Sequence, residues 1–329
     1  MEKIWLKEYP AGVPTEIDLN EFASLKDILE KSCQRFADLP AYSNVGVTLR
    51  YRDIDRLSRN FGAWLQARGL SKGDRVAIMM PNALQYPVAL FGALRAGLTV
   101  VNVNPLYTPR ELEHQLIDSG ATAIVIIENF AHTLQEVLAK TPVKTVITTE
   151  LGDLFSFPKR LLVNFVVKHV KKMVPAWNIS GAIPFRRVLS EGAKKTLNNV
   201  PLNHDDLAFL QYTGGTTGVS KGAMLTHGNM VANLQQASAW LKPFSKPAEE
   251  TIITALPLYH IFSLTANCLT FMKVGGHNIL ITNPRDMPGF VKELGKVKFT
   301  AITGVNTLFN GLLHTPGFDR LNFSTLKIS

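Results

Sequence analysis

The chain has 329 residues, 46% of them hydrophobic, and 35 Lys+Arg against 26 Asp+Glu give a formal net charge of +9. Such a composition excludes a disordered chain, and the length allows a large core and more than one subdomain. Two cysteines, Cys33 and Cys268, are too few for a disulfide scaffold, supply no metal-ligand spacing and fit a reducing compartment.

In chain order, Ser24 predicts the cap of a helix to residue 36, with Leu25, Ile28, Leu29, Cys33 and Phe36 on its apolar face. A second helix is expected over 51–68, with Ile54, Leu57, Phe61, Trp64 and Leu65 inward. Strand 75–79, helix 84–96, strand 99–103, helix 109–119, strand 121–127, helix 131–139 and strand 144–148 follow. After residue 200 come strand 207–212, helix 229–240, strand 251–256, helix 264–273, strand 278–282, helix 287–295 and strand 300–302. Apolar strands alternating with helices predict an α/β fold with mostly parallel sheets covered on both faces. The last residues, NFSTLKIS, read as the approach to a further strand, so the fold is expected to be truncated before its end.

The first ten residues, MEKIWLKEYP, carry Glu2 and Glu8 and no apolar run, so no secretory leader is expected. No stretch reaches the ~18 uninterrupted apolar residues of a membrane span. Even 76–103 is broken by Pro81, Asn82, Gln85, Pro87 and Arg95. A cytoplasmic protein is expected, with at most peripheral contact on the cytoplasmic face of the inner membrane.

The charge is uneven. Residues 154–190 contain no acid and hold Lys159, Arg160, Lys168, Lys171, Lys172, Arg186 and Arg187. Helical spacing gathers Leu161, Leu162, Phe165, Val166 and their apolar neighbours on one side, flanked by the lysines. Such a helix either packs on the core with solvated lysines or lies on an anionic membrane surface. No nucleic-acid partner is expected, because stacking aromatics do not alternate with the basic residues.

The two halves share a pattern. Gly97, Asn104, Pro105 and Pro109 recur as Gly276, Asn283, Pro284 and Pro288, each displaced by 179 residues. Two similar βαβ subdomains are expected, over about 50–200 and 201–329, with a ligand cleft between them; generic βαβ likeness is the alternative.

The segment QYTGGTTGVSKG, 211–222, follows an apolar strand and is expected to precede a helix. Its glycines, Gly214, Gly215, Gly218 and Gly222, let backbone N–H groups converge on an anion. Thr213, Thr216, Thr217 and Ser220 add hydroxyl donors, and Lys221 adds a point charge. This chemistry suits a polyphosphate. The spacing is neither a Walker A loop nor a dinucleotide fingerprint.

Tyr212 through Gly222, including Val219, closely resembles the phosphate-binding signature of the adenylate-forming enzymes, which include acyl-CoA synthetases, luciferases and peptide-synthetase adenylation domains. Leu256-Pro257-Leu258-Tyr259-His260-Ile261-Phe262 resembles their second core segment. Thr303-Gly304-Val305-Asn306-Thr307 resembles the segment lining the acyl pocket. Residues 84–120 resemble bacterial long-chain fatty acid–CoA ligases, and the resemblance covers nearly the whole chain.

The resemblance implies an incomplete N-terminal adenylation (AMP-binding) domain over 1–329. It implies ATP-dependent activation of a long-chain fatty acid to acyl-adenylate, then transfer to CoA, with Mg²⁺ on the phosphates. It assigns ATP to Tyr212–Gly222, a catalytic or substrate-orienting place to His260, and acyl contact to Thr303 and Gly304; no protein metal ligand is implied. Tyr259 and Phe262 are expected to pack, and Cys268 to be core. The family's Tyr-Gly-x-Thr-Glu segment and its mobile C-terminal domain with the catalytic Lys are not in this sequence, so little ligase activity is expected of the chain alone. A medium-chain or aryl acid substrate, a non-catalytic protein binding membrane or a partner, and pairing of two copies stay open.

Overall fold

The computed structural model describes residues 2–214 and 220–329. Twelve strands are found among the described residues: β1 (Pro40–Asn44), β2 (Val47–Arg50), β3 (Arg75–Met79), β4 (Thr99–Val103), β5 (Ala123–Ile127), β6 (Thr145–Thr149), β7 (Ile183–Pro184), β8 (Leu207–Thr213), β9 (Lys221–Thr226), β10 (Thr251–Thr254), β11 (His277–Leu280) and β12 (Ala301–Ile302). They form a seven-stranded sheet in the order β7-β6-β5-β3-β4-β8-β9 and a five-stranded sheet in the order β12-β10-β11-β1-β2. All neighbours run parallel except β8–β9 and β1–β2. The mostly parallel α/β architecture is as the sequence predicts.

The internal repeat has a structural counterpart. β5-β3-β4 in one sheet and β12-β10-β11 in the other have the same order and direction. Asn104 Oδ1 accepts from Leu106 N at 3.0 Å, and Asn283 Oδ1 accepts from Arg285 N at 3.3 Å. Both asparagines turn the chain out of a strand and toward a proline-started helix, Pro109–Ser119 or Met287–Leu294.

The two sheets share a core. Every residue of helix Gln85–Arg95 is buried. Its apolar side chains join Val76, Ile78 and Val100 of the first sheet to Tyr42 and Leu280 of the second, and to Leu258 and Cys268 in the segment that follows β10. The helix therefore lacks a polar face, because protein covers it all round. Its one charged residue, Arg95, is fully buried and paired with Asp55 at 2.5 Å.

Four expectations are corrected. The segment after the glycine-rich loop is strand β9, not a helix; it pairs only with β8 at the sheet edge, and Met224 stays exposed, so it carries no clear apolar period. β1 and β2 were not expected, because β1 hides Ser43 and Asn44 in the interior and so lacks an apolar run. The helix expected at 264–273 begins at Ile261 and continues through a π-helical turn, Leu264–Leu269. The sheets also do not divide the chain near residue 200, since β8 and β9 complete the first sheet while β1 and β2 join the second. β8 pairs in parallel with β4, and β1 with β11, so pairing overrides chain order.

Helix His227–Leu241 begins on a buried histidine. His227 Nδ1 accepts from Leu25 N at 3.2 Å, and desolvation lowers its pKa to about 4. Burial lowers His277 to about 4 as well, with its Nε2 2.7 Å from Ser43 Oγ. A lowered folded-state pKa means the unfolded chain binds more protons below pH ~6.5, so each histidine's contribution is complete above that pH and is lost toward pH 4. Glu128, raised to about 7 by burial and Glu150, acts in the opposite sense. The measurable quantity is therefore a difference between variants. In His227→Asn the stability change between pH 7 and pH 5, from urea unfolding, should shrink by about 2 kcal/mol relative to the parent.

Candidate functional site

The glycine- and threonine-rich loop joins β8 to β9. The hairpin register places Tyr212 opposite Gly222 and Thr213 opposite Lys221. Tyr212 is buried, Thr213, Gly214 and Lys221 are exposed, and Ser220 and Gly222 are half-buried. Gly215, Thr216, Thr217, Gly218 and Val219 lie outside the described residues. A Cβ on Gly222 would stand 2.9 Å from the Tyr212 ring, so only glycine lets that ring lie against β9.

Helix Pro109–Ser119 braces both arms of the hairpin. Its start is set by a Thr108/Glu111 capping box and Pro109. His114 and Asp118, four residues apart, project from one face. The Tyr212 hydroxyl donates to Asp118 Oδ2 at 2.5 Å, and burial together with that carboxylate holds the phenol's pKa well above its ordinary value. His114 Nε2 donates to Ser220 O at 3.0 Å. Thus the first residues before the loop and the last within it are fixed to the same helix.

A buried polar chain leads from this hairpin to segment 256–262. Gln115 Nε2 donates to Asn102 O at 2.8 Å, and Asn102 Nδ2 donates to Gln211 Oε1 at 3.0 Å. Gln211 Nε2 in turn donates to Tyr259 O at 3.0 Å. The Tyr86 hydroxyl shares its proton between Asn102 Oδ1 at 2.7 Å and Leu258 O at 2.8 Å. Asn82 adds two donations, to Thr254 O at 2.9 Å and Leu256 O at 3.0 Å, and accepts from Leu258 N at 2.8 Å. These contacts fix the backbone on both sides of Pro257 and up to Tyr259. His260 follows, exposed, as the cap of the next helix, with Nδ1 accepting from Phe262 N at 3.4 Å. Tyr259 is half-buried against the core, Phe262 is exposed and Cys268 is buried.

Thr303 joins the same region. Its Oγ1 lies 2.8 Å from Asn267 Nδ2 and 3.0 Å from Asn267 Oδ1, on the helical stretch that His260 starts. A Cβ on Gly304 would meet the Phe309 ring at 2.8 Å. The glycine therefore admits Phe309 beside the backbone.

The three motif segments, far apart in sequence, thus come to the C-terminal ends of β8, β10 and β12, the first two joined directly by Gln211 and Tyr259 and the third through Asn267 on the helix that follows His260. In parallel sheets this is the side where ligands bind. Exposed hydroxyl, glycine and lysine groups there suit an anion. Among the described residues no cluster of three or more His, Cys, Asp or Glu side chains could hold a metal ion.

The sequence reading missed Asn82, Tyr86, Asn102, His114, Gln115 and Asp118. A signal existed for two of them: Asn82 and Asn102 are polar interruptions in the apolar run 76–103.

The family described as AMP-binding enzyme matches residues 29–329. The chain is 60% identical over its whole length to a long-chain-fatty-acid–CoA ligase of Escherichia coli O157:H7 and 56% identical to one of Haemophilus influenzae. It spans 59% of the length of each. Among solved structures, a long-chain-fatty-acid-CoA ligase from Archaeoglobus fulgidus matches with a TM-score of 0.76 at 23% identity, over 97% of this chain and 59% of that one. At that identity the likeness speaks for the fold.

Asn82→Ala would leave the buried Leu258 N–H without a partner and remove one of two hydrogen bonds at each of the Thr254 and Leu256 carbonyls, which keep Ile281 N and Ser263 Oγ. It should cost about 3 kcal/mol in urea unfolding, with the denaturant slope unchanged.

Proposed function

The chain belongs to the AMP-binding enzyme family, and from that premise we propose that it is the N-terminal portion of a long-chain fatty acid–CoA ligase. The reaction would join a fatty acid carboxylate to the α-phosphate of ATP with release of pyrophosphate, and then pass the acyl group to the CoA thiol with release of AMP. The observation carrying this reading is that the braced β8–β9 loop and the His260 segment are tied together through Gln211 and Tyr259 O.

Attack of a carboxylate on a phosphate brings two anions together. The need is for charge neutralisation and alignment more than for a general base, since the carboxylate is already ionised near neutral pH. Thr213, Ser220 and Lys221 offer donors and a cation for the departing phosphates. Gly215, Thr216, Thr217, Gly218 and Val219 are proposed to complete that cradle on the strength of the motif. Tyr212 and Gly222 set the hairpin's shape at its two ends. Mg²⁺, when bound, would supply further neutralisation on phosphate oxygens.

His260, exposed at the start of its helix and held from Asn82, Tyr86 and Gln211, is proposed to orient the carboxylate. Thr303 and Gly304 are proposed to border the acyl chain. The Tyr-Gly-x-Thr-Glu segment and a catalytic Lys of the mobile domain are not among these 329 residues. The chain by itself is therefore proposed to bind nucleotide phosphates without completing ligation. Peripheral contact with the cytoplasmic face of the inner membrane is part of the same reading.

Titration calorimetry with pyrophosphate tests the phosphate site. Lys221→Ala should weaken binding by roughly ten- to a hundredfold, the worth of one charge-assisted contact. Equal binding by parent and variant would remove the phosphate assignment. His114→Ala should weaken pyrophosphate several-fold through the freed Ser220 carbonyl, and His114→Gln, which keeps an N–H donor, should recover part of the loss.

A further inference from the structure

Residues 157–173 form a surface element turned the wrong way for ordinary packing. Helix Lys159–Phe165 continues as a π-helical turn, Val166–Val170, and neither contains a buried residue. Its inner side is attached mainly by polar groups. Asn164 Oδ1 accepts from Gly152 N at 2.8 Å, and Asn164 Nδ2 donates to Glu150 Oε2 at 2.8 Å. Lys168 Nζ lies 3.4 Å from Glu128 Oε2, and Val163 alone of the helix's apolar residues reaches the core. The outer side carries Phe157, Leu161, Leu162, Phe165, Val170 and Met173, between 50% and 72% exposed. A helix packed on its own core would bury these residues and expose Asn164. A contiguous apolar ridge on a chain this rich in core marks a surface that is covered in use.

The charges around the ridge say what covers it. No acid occurs between residues 154 and 190. Lys171 and Lys172 are exposed beside Val170 and Met173, His169 is exposed, and Arg160 is half-buried next to Leu161. Glu150 and Asp153 border a cleft with Leu161, Leu162 and Phe165, but Glu128, Glu150 and Asp153 are engaged with Lys168, Asn164 and Thr149, and Arg160, Lys168 and Arg186 line the same cleft or its edge. The outward face therefore offers apolar side chains beside an excess of positive charge, its two neighbouring carboxylates, Glu150 and Asp153, being already engaged. That combination fits hydrocarbon beneath anionic headgroups.

We infer that residues 157–173 seat the protein on an anionic bilayer, with Leu161, Leu162 and Phe165 entering the headgroup boundary and Lys171 and Lys172 pairing with lipid phosphates. This deepens the peripheral placement proposed above and rests on it. No helix among the described residues is long and apolar enough to cross a membrane, so the contact is one of a surface. Long-chain fatty acids partition into the same bilayer, which would place this face next to the supply of substrate.

Vesicle flotation of the 329-residue chain tests the inference, using phosphatidylglycerol and phosphatidylethanolamine in equal parts against phosphatidylcholine alone. The chain should float with the anionic vesicles, and added salt should weaken the association. The double variants Lys171→Glu/Lys172→Glu and Leu162→Ser/Phe165→Ser should each reduce partitioning by roughly tenfold or more. All four positions are exposed, so unchanged circular dichroism is expected and would confirm that folding is intact. Failure to float with anionic vesicles, or equal flotation by parent and variants, would overturn the inference. So would a dimer, seen by sedimentation without vesicles, that Leu162→Ser/Phe165→Ser turns into monomer, because a second copy would then cover the ridge. The assay contains neither nucleotide nor fatty acid. Its failure therefore leaves the phosphate site standing, and a failure of Lys221→Ala to weaken pyrophosphate leaves this surface standing.

Discussion

Asn82 uses both amide hydrogens and its carbonyl to hold three backbone groups of the other sheet, at Thr254, Leu256 and Leu258, from a position that is 2% exposed. A buried carbonyl or N–H left unpaired is costly, so this one side chain makes the path of the 254–258 backbone the low-energy one. Thr282 Oγ1 closes the arrangement by donating to Asn82 O at 2.9 Å. The two sheets meet at the ends of β3 and β10, where Leu258 N finds its partner in Asn82 and the Thr254 and Leu256 carbonyls, also bonded to Ile281 N and Ser263 Oγ, each gain a second donor. The shared core around helix Gln85–Arg95 supplies the attraction, which is non-directional, and the asparagine supplies the register.

The glycine-rich loop depends on the same logic at one remove. Its ends are fixed by one helix face, through Asp118 on Tyr212 and His114 on Ser220. Gln211, one residue before Tyr212, carries the connection onward to Tyr259. The β8–β9 hairpin and the backbone beside His260 are therefore joined by a short run of buried amides.

The ridge at 157–173 shows a different balance. On helix Tyr51–Ala67, by contrast, the apolar side chains at helical spacing, Ile54, Leu57, Phe61, Trp64 and Leu65, turn inward. At the ridge the same spacing is present, but Asn164 and Lys168 find their partners on the protein side. Hydrogen bonds to Glu150 and Glu128 thus orient the helix against its own hydrophobic pattern. Periodicity alone left both orientations open, since it fixes which residues share a face and not which way the face points.

Much of the fold was legible in local pattern. Strands 75–79 and 99–103, helix 109–119 and the Ser24 cap were read from alternation, apolar runs and capping residues, which act within a few positions of one another. The glycine-rich motif was legible for the same reason, because its glycines, hydroxyls and lysine lie within twelve positions, 211–222. The repeat could be seen because Asn-Pro after a strand marks the same turn twice. What the linear order could not contain was pairing at a distance. β1 carries buried polar residues because its neighbour β11 lies some 230 positions away, and β9 lacks a pattern because it is an edge. Asn82, Asn102 and Gln211 read as interruptions until their partners on other elements were in place. A hydrogen bond is satisfied by geometry, and the geometry of residues 170 positions apart arises only when the chain has folded.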